Sequence, residues 1–252
     1  MYRIQNAGTK GLGIFASQLI PSGTRILAEK PIFTVRTERD VFAASKNISI
    51  ADRDFINGLT INQNAPGSTI QQWIKDIWDV TRGTGSLPKW STVLEYQHLL
   101  ARFKNNNFDI GDRTQAIFRD VSRLNHACVP NTQGNYNSNI KAFTIHTLRP
   151  IEPDEEITIS YIEMFAMPRE TRQNALLRGY GFECGCPACD MGKKRARDGE
   201  RKRVALKERL ARMHAWQKES GKRDYASEME LLGEMIKVFE AEGLAGRELG
   251  TM

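Results

Sequence analysis

The spacing of apolar residues divides the chain into regions with different secondary structure. Between residues 2 and 36, short apolar runs alternate with glycine and proline turns, which is typical of short strands. Between 38 and 104, apolar residues recur at the three- and four-residue spacing of helices. Two helix faces in this insert are predicted to be buried, namely Ile70, Trp73, Ile74, Ile77 and Trp78, and Val93, Tyr96, Leu100 and Phe103.

Strand-like patterns return after this insert and are followed by a charged helical tail. β-rich runs at 139–146 and 156–160 flank the turn-prone segment 150–154. The tail after residue 191 has one apolar helix face, formed by Tyr225, Met229, Leu232, Ile236 and Phe239. The order of strands, helices, strands and helices predicts an α+β fold.

Composition narrows the class of protein. The 252 residues are 40% hydrophobic and 26% charged, as in an ordinary globular protein. No apolar run reaches the roughly 18 residues that span a bilayer, and the first residues lack the apolar stretch of a signal peptide. We therefore expect an intracellular protein, in the nucleus, the cytoplasm or both, with no membrane partner. The net charge of +6 is concentrated between Lys193 and Arg212, so it describes the tail more than the main domain.

The four cysteines are the most specific chemical signal in the sequence. Cys184, Cys186 and Cys189 form a C-x-C-x-x-C run, and Cys128 is the remaining cysteine. In a reducing compartment such a cluster indicates zinc, because zinc takes four soft ligands in a tetrahedron. We predict a closed structural zinc site of all four cysteines. The alternatives are His126 in place of Cys128, a catalytic zinc with an open position, or four unrelated buried cysteines.

A glycine pair marks a candidate ligand-binding turn. The segment 10–16, with Gly11 and Gly13, nominally matches the dinucleotide fingerprint G-x-G-x-x-G/A, but that fingerprint requires a helix after it. Pro21 and Gly23 stop any helix after about one turn, which excludes this interpretation. A tight turn between strands remains, needed either for its geometry alone or for a ligand to approach the backbone.

Two later segments carry side chains of functional types. One loop contains Asn125, His126 and Cys128, and Tyr161 ends the strand-like run at 156–160. Taken separately, a structural histidine and a packed tyrosine with a hydrogen-bonded hydroxyl are the simpler interpretations.

Together and in this order, four motifs resemble the SET-domain family of protein-lysine methyltransferases. They are the glycine turn, the loop 125–131, the run 155–161 and the C-x-C-x-x-C clip. The chain is most similar to the SET-and-MYND subfamily, in which the loop cysteine joins three later cysteines on zinc. It departs from that subfamily in lacking a Cys/His-rich MYND finger, and in having Asp154 and Ala127 where glycine and serine are usual.

The resemblance implies S-adenosylmethionine as cofactor and a protein that presents a lysine as substrate, histone or non-histone. The cofactor-binding residues that it implies are Lys10, Gly11, Leu12, Gly13, Asn106, Asn125, His126, Tyr161 and Phe182. It also implies that Tyr161 is catalytic, that Tyr180 lines the substrate channel, and that the structural zinc is bound by Cys128, Cys184, Cys186 and Cys189.

The fold implied by the resemblance is a SET-type α+β fold of short β-sheets with a helical insert, a zinc-binding post-SET clip and a C-terminal helical tail. The corresponding segments are a SET domain at 1–165 with its insert at about 38–104, a zinc-binding segment at 166–190 and a charged tail at 191–252.

Two other classes of function stay open. A catalytically silent SET domain would act as a scaffold or binding protein, although Asn125, His126 and Tyr161 are all present. A zinc-stabilised nucleic-acid binder would use the basic run from Lys193 to Arg203, which could equally bind a nuclear import factor. Acidic residues interrupt that run, so a solvated helix surface is the simpler interpretation. Steeply salt-dependent affinity for DNA or RNA would favour the nucleic-acid binder.

Overall fold

The computed structural model describes residues 1–62, 70–81, 89–163 and 167–242. Short strands lie on both sides of a helical insert, and two long helices form the tail. The strands are β1 (Tyr2–Asn6), β2 (Leu12–Ala16), β3 (Arg25–Glu29), β4 (Phe33–Val35), β5 (Phe108–Asp109), β6 (Gln115–Ile117), β7 (Asn125–His126), β8 (Thr132–Asn137), β9 (Ala142–Thr147) and β10 (Glu156–Ile159). The α-helices are α1 (Val41–Ser45), α2 (Ile50–Asn57), α3 (Ile70–Thr81), α4 (Trp90–Asn106), α5 (Arg169–Tyr180), α6 (Lys194–Ser220) and α7 (Tyr225–Glu242).

The described strands form three small sheets, and the strands of the first contain Leu12, Gly13, Asn125 and His126 of the predicted site. Its strand order is β1-β2-β10-β7, while the others are β3-β9-β8 and β4-β6-β5. β10 pairs antiparallel with β2, where Ile157 faces Ile14, and parallel with β7, where Thr158 faces Asn125. This arrangement brings together the glycine turn, the Asn125 loop and the strand that leads to Tyr161.

Two of the apolar cores among the described residues support this frame. The first lies among the sheets and is formed by buried residues such as Ile14, Phe118, Phe143, Ile145 and Ile157. The second packs the insert helices against β4 and β6, and it contains Tyr96, Leu100 and Phe103 of α4. The predicted face of α4 is confirmed, because these three residues and Val93 are all at most 5% exposed. Burial of each such side chain stabilises the fold by about 1.5–3 kcal/mol.

The predicted helix α3 is present, but the prediction of its buried face is wrong. Ile74 and Trp78 are 63% and 68% exposed, whereas Asp76 and Asp79 are only 1% and 6% exposed. Asp76 accepts a hydrogen bond from Gln97 Nε2 of α4 at 2.8 Å. A buried carboxylate needs such a partner, and the apolar residue that α3 buries in the second core is Val80, at 3% exposed.

The predicted apolar face of the tail is also rotated. Tyr225 and Met229 are 66% and 68% exposed, and Leu231 is the residue that α7 buries most deeply among those described, at 3%. Arg209 of α6 pairs with Glu230 at 2.7 Å and with Glu234 at 2.5 Å, so these ion pairs connect the two helices. Ile77, Leu232 and Ile236 are half-buried, and the side chains of Ile70, Trp73 and Phe239 lie outside the described residues.

Two turns refine the predicted strands. The run at 139–146 becomes a strand only at Ala142, because residues 138–141 form the hairpin turn between β8 and β9. Lys141 has a φ of 52° there, and Asp154, which stands where glycine is usual, has a φ of 67°. Aspartate tolerates this left-handed conformation, so the turn before β10 keeps its shape. None of the described helices combines the length and the apolar character needed to cross a bilayer.

Candidate active site and metal centre

The glycine turn connects β1 to β2 and makes room for side chains from two other strands. Gly8 and Gly11 have φ angles of 69° and 80°, a region that favours glycine. Gly13 is needed for a different reason: a Cβ there would lie 2.8 Å from Asn125 Nδ2 and 3.0 Å from Glu156 Oε1. The absent side chain therefore lets the side chains from β7 and β10 approach the turn.

A hydrogen-bonded polar cluster joins these segments. Asn125 Nδ2 donates to the carbonyl oxygen of Leu12 at 3.2 Å and to Glu156 Oε1 at 2.8 Å. The other carboxylate oxygen, Glu156 Oε2, accepts a hydrogen bond from Lys10 Nζ at 2.5 Å. The structure thus brings Lys10, Leu12, Gly13 and Asn125 together, and their binding of a cofactor stays a prediction. Glu156 was missed, although its position in the Glu-Glu pair before Tyr161 was a signal for it.

His126 is buried between this cluster and the cysteines. Its Nδ1 accepts a hydrogen bond from the backbone N–H of Tyr161 at 3.0 Å, so the ring proton belongs on Nε2, which lies 3.4 Å from Cys128 Sγ. Burial lowers the pKa of His126 to about 4, which keeps the ring neutral near pH 7. His126 is therefore placed to orient Tyr161 and to donate to Cys128.

Four rings surround the end of β10. The ring centroid of Tyr161 lies 4.8 Å from that of Tyr180, 5.4 Å from His126 and 6.4 Å from Phe182. The Tyr180 hydroxyl donates to the backbone carbonyl of Tyr161 at 3.2 Å. The predicted catalytic residue, the predicted channel residue and the predicted adenine-stacking residue are therefore in mutual proximity.

The hydroxyl of Tyr161 is held as a neutral group. It donates a hydrogen bond to the carbonyl oxygen of Leu124 at 2.7 Å. Burial raises the pKa of Tyr161, and the nearby Tyr180 and Glu156 raise it further. A phenol in this state does not act as a base near pH 7, but its lone pairs can still accept a hydrogen bond.

The side chain of Asn106, another predicted cofactor residue, makes its hydrogen bonds within the helical insert. Its Nδ2 donates to the carbonyl oxygens of Thr60 and Arg102 at 2.8 and 2.7 Å. The neighbouring Asn62 donates to the carbonyl oxygen of Arg178, near the end of α5, at 3.0 Å. Residues 60–62 of the insert therefore link Asn106 to the helix that leads to Tyr180.

The four cysteines meet in a buried cluster. Their sulfur atoms lie within 4.8 Å of one another, and Cys128 Sγ is 4.0 Å from Cys184 Sγ and 3.6 Å from Cys189 Sγ. Four thiolates at about 2.3 Å from a tetrahedral zinc are about 3.8 Å apart, so the cluster fits this ion. Hydrogen bonds from Cys128 and then Cys184 lower the pKa of Cys186 and Cys189, to about 7 for Cys189. The predicted association of these cysteines is confirmed, and His126 is not a member of the cluster.

Helix α5 supplies two residues that support the cysteines and that sequence reasoning missed. Gln173 accepts from the backbone N–H of Cys184 at 2.6 Å and donates to its carbonyl at 2.7 Å. Arg172 is 1% exposed, and its Nη2 lies 3.8 Å from Cys189 Sγ. Its Nη1 lies 3.7 Å from Glu200 Oε2 of α6. No motif distinguishes these two from other polar residues of a helix.

The basic run in the tail is engaged in part within the chain. Arg197 donates to the carbonyl oxygen of Met191 at 2.9 Å, and Arg201 pairs with Asp198 at 2.5 Å. Arg203 is 1% exposed. The ion pair with Asp198 and the burial of Arg203 reduce the positive charge that the run offers to a partner, and binding of nucleic acid or an import factor stays a prediction.

Comparison with known proteins identifies the family. The model of the SET domain matches residues 11–162. The protein named histone-lysine N-methyltransferase set5 of Schizosaccharomyces pombe is 29% identical over 217 residues, which are 84% of this chain and 59% of that protein. The N-lysine methyltransferase SMYD2 of Gallus gallus is 29% identical over 183 residues, which are 71% of this chain and 39% of that protein.

A Plasmodium falciparum crystal structure described as a candidate histone methyltransferase is 13% identical, with a TM-score of 0.33, and the match covers 64% of this chain and 93% of that one. The chain spans 59% and 39% of the two named relatives, so their names describe longer proteins. The predicted family and fold class are confirmed by the family model, which covers more than half of the chain: this protein belongs to the SET domain family.

Proposed function

We propose that this chain transfers a methyl group from S-adenosylmethionine to the side-chain amine of a lysine in a protein substrate. The observation that carries the proposal is the neutral hydroxyl of Tyr161, fixed by Leu124 and placed beside His126, Tyr180 and Phe182. The names of the two relatives, both lysine methyltransferases, support the same reaction.

S-adenosylmethionine, when bound, supplies the methyl group in an electrophilic form. The polar cluster at the glycine turn suits its charged amino-acid end, and the aromatic face of Phe182 suits its adenine ring. The residues proposed to bind it are Lys10, Gly11, Leu12, Gly13, Asn106, Asn125, His126, Tyr161 and Phe182.

The chain's own residues would prepare the amine for attack. A lysine amine has a reference pKa near 10.4, and only its neutral form is nucleophilic. A channel lined by Tyr161 and Tyr180 removes water, which disfavours the ammonium form. Because the Tyr161 proton is donated to Leu124, its oxygen can accept a hydrogen bond from the amine and orient the lone pair. Catalysis would then consist mainly of positioning.

Zinc would have a structural role. Four cysteines at tetrahedral distances leave no open position for a substrate, so the ion would supply no chemistry to the reaction. It would hold the Asn125–Cys128 loop against the segment 166–190. We assign the SET domain to 1–165 with its insert at about 38–104, the zinc segment to 166–190 and the tail to 191–252 as part of the same proposal.

The test is transfer of tritium-labelled methyl groups to purified core histones and to a library of lysine-containing peptides. Tyr161→Phe should reduce kcat at least about a hundredfold, a loss in the range of removed positioned groups. Tyr136→Phe, a half-buried tyrosine of β8, is the control and should leave kcat unchanged.

Binding of S-adenosylmethionine is measured separately by calorimetry on zinc-loaded protein, with Asn125→Ala as the variant that should abolish it. Folded wild type that binds no S-adenosylmethionine contradicts the proposal. Binding without transfer to any histone or peptide favours the silent scaffold.

A further inference from the structure

One carboxylate outside the predicted site contacts two of its members. Glu156 uses both oxygens, Oε1 for Asn125 Nδ2 at 2.8 Å and Oε2 for Lys10 Nζ at 2.5 Å. Its partners come from β7 and from the glycine turn, which are far from it in sequence. The space for this arrangement exists because residue 13 is glycine, as a Cβ there would lie 3.0 Å from Glu156 Oε1.

The backbone that carries Glu156 is itself fixed. Glu156 faces Phe15 in the antiparallel pair of β10 and β2, and its carbonyl oxygen accepts a hydrogen bond from Asn131 Nδ2 at 2.9 Å. The carboxylate is 19% exposed, whereas the Lys10 side chain is 43% exposed. A rigid, largely buried anion therefore holds a flexible, partly exposed cation in one direction.

This arrangement has a physical consequence for binding at the turn. A lysine side chain carries about 2 kcal/mol of rotamer entropy, and fixing it before a ligand arrives removes that cost from the binding step. Hydrogen bonds to a charged group are roughly twice as strong as neutral ones, so the carboxylate also defines the direction of the Asn125 amide.

We infer that Glu156 is a positioning residue of the cofactor site, which presets Lys10 and Asn125 for the amino-acid end of S-adenosylmethionine. The inference rests on the proposed function, because it assigns the occupant of the turn. In the opposite case, Glu156 would compete with the cofactor for the same two donors, and removal of the carboxylate would tighten cofactor binding.

Calorimetric binding of S-adenosylmethionine and S-adenosylhomocysteine to Glu156→Gln tests the inference. The amide keeps the size of the side chain and can still accept from Asn125, but it loses the charge that holds Lys10. We expect about tenfold weaker binding of both ligands, since both carry the same amino-acid end. With saturating S-adenosylmethionine, kcat should stay within about twofold of the wild type, because Glu156 acts on binding.

Glu152→Gln is the matched control, since it removes an exposed carboxylate of the same acidic segment and should leave both affinities unchanged. Lys10→Met is a second variant at a partly exposed position, so it should fold. In the Lys10→Met background, Glu156→Gln should weaken the affinity for both ligands only about threefold, because one of the two groups that Glu156 positions is already absent.

Several results would overturn the inference: unchanged or tighter binding by Glu156→Gln, weakening of S-adenosylmethionine alone, or an equal loss in Glu152→Gln. A purely structural role would lower the melting temperature of Glu156→Gln and leave the affinity of the folded protein unchanged. If the wild type binds neither ligand, the proposed function itself fails, which is distinguishable from these results.

Discussion

Replacing Gly13 with alanine adds one methyl group at the contact between the glycine turn and Asn125. The new methyl carbon would lie 2.8 Å from Asn125 Nδ2, closer than ordinary van der Waals contact. Because Gly13 does not have a positive φ, alanine introduces no backbone strain at this position. The Asn125 amide and, at 3.0 Å, the Glu156 carboxylate are ends of flexible side chains and have to move instead.

The cost follows from the hydrogen bonds that this movement weakens. Asn125 donates to the Leu12 carbonyl at 3.2 Å and to the Glu156 carboxylate at 2.8 Å. Such bonds contribute about 0.5–1.5 kcal/mol when neutral and about 1.5–3 kcal/mol when charged. Partial loss of both at a half-buried site gives a destabilisation of about 1–2 kcal/mol. The affinity for S-adenosylmethionine should fall at least about tenfold, because the displaced amide belongs to the proposed site.

Two other glycines provide matched controls. At Gly134 in β8 a Cβ would overlap the Phe143 ring, so Gly134→Ala should destabilise the fold by about 1–3 kcal/mol without affecting the affinity of the folded protein. At Gly233 in α7 the space is open, and Gly233→Ala should stabilise the helix by up to about 1 kcal/mol. Urea denaturation measures stability, and calorimetry measures affinity.

The pair Gly13→Ala and Gly134→Ala separates loss of the site from loss of stability. If Gly13→Ala binds S-adenosylmethionine as tightly as wild type, the reasoning about the turn is wrong. Equal weakening in both variants would show that affinity follows stability, and the role given to Asn125 would then be unsupported.

Further predictions concern the reaction, the metal and the tail. Because the pKa of Tyr161 is raised above its ordinary value of 10.0, its hydroxyl stays protonated; kcat measured radiometrically should rise between about pH 7 and 9 with the substrate amine and show no falling limb below about pH 10. Cys184→Ser should bind much less zinc by mass spectrometry than the one ion expected per wild-type chain, and should melt at a lower temperature, because metal binding contributes to folding. Arg172→Met removes a buried cation beside Glu200 and should cost about 3 kcal/mol in urea denaturation, whereas the exposed Arg178→Met in the same helix should cost less than about 0.5 kcal/mol.

Each of these has a contrary outcome. A rate that falls between pH 8 and 9 would show that Tyr161 ionises in the working range. Full zinc content in Cys184→Ser would contradict a four-cysteine site. Equal stability losses in the two arginine variants would show that the buried Arg172 contributes no more to stability than an exposed arginine of the same helix.

The cysteine cluster was easier to predict than the buried faces of α3 and α7. Cysteine, histidine and glycine carry their chemistry in the residue type, so the association of Cys128 with the later clip followed from spacing and family resemblance together. In α3 the hydrophobic pattern predicts the helix, but the side that faces the second core carries Asp76, which is hydrogen-bonded to Gln97, and Val80. A polar contact between two helices leaves no periodic signal in either of them.

The residues that were missed act through partners distant in sequence. Arg172 and Gln173 have ordinary helical surroundings in the sequence, and only the fold brings them to the cysteines. Glu156 lies in the Glu-Glu motif before Tyr161, which marks the residue, but its contact with Lys10 spans 146 positions and is shown only by the fold. The placement of Asn106 on residues 60–62 depends likewise on how the insert folds back.

The position of β10 between β2 and β7 determines when the polar cluster at the glycine turn can form during synthesis. The strand that completes the first sheet is the last of its four to be made, and Lys10 precedes its partner Glu156 by 146 positions. At about 5–20 residues per second, the ribosome takes roughly 7–30 s to add that length. During this interval one edge of β2 lacks its neighbour, and unpaired edges favour aggregation. Closure of this sheet is therefore non-local and slow, and the hydrogen-bonded cluster of Lys10, Asn125 and Glu156 forms only when the sheet is complete.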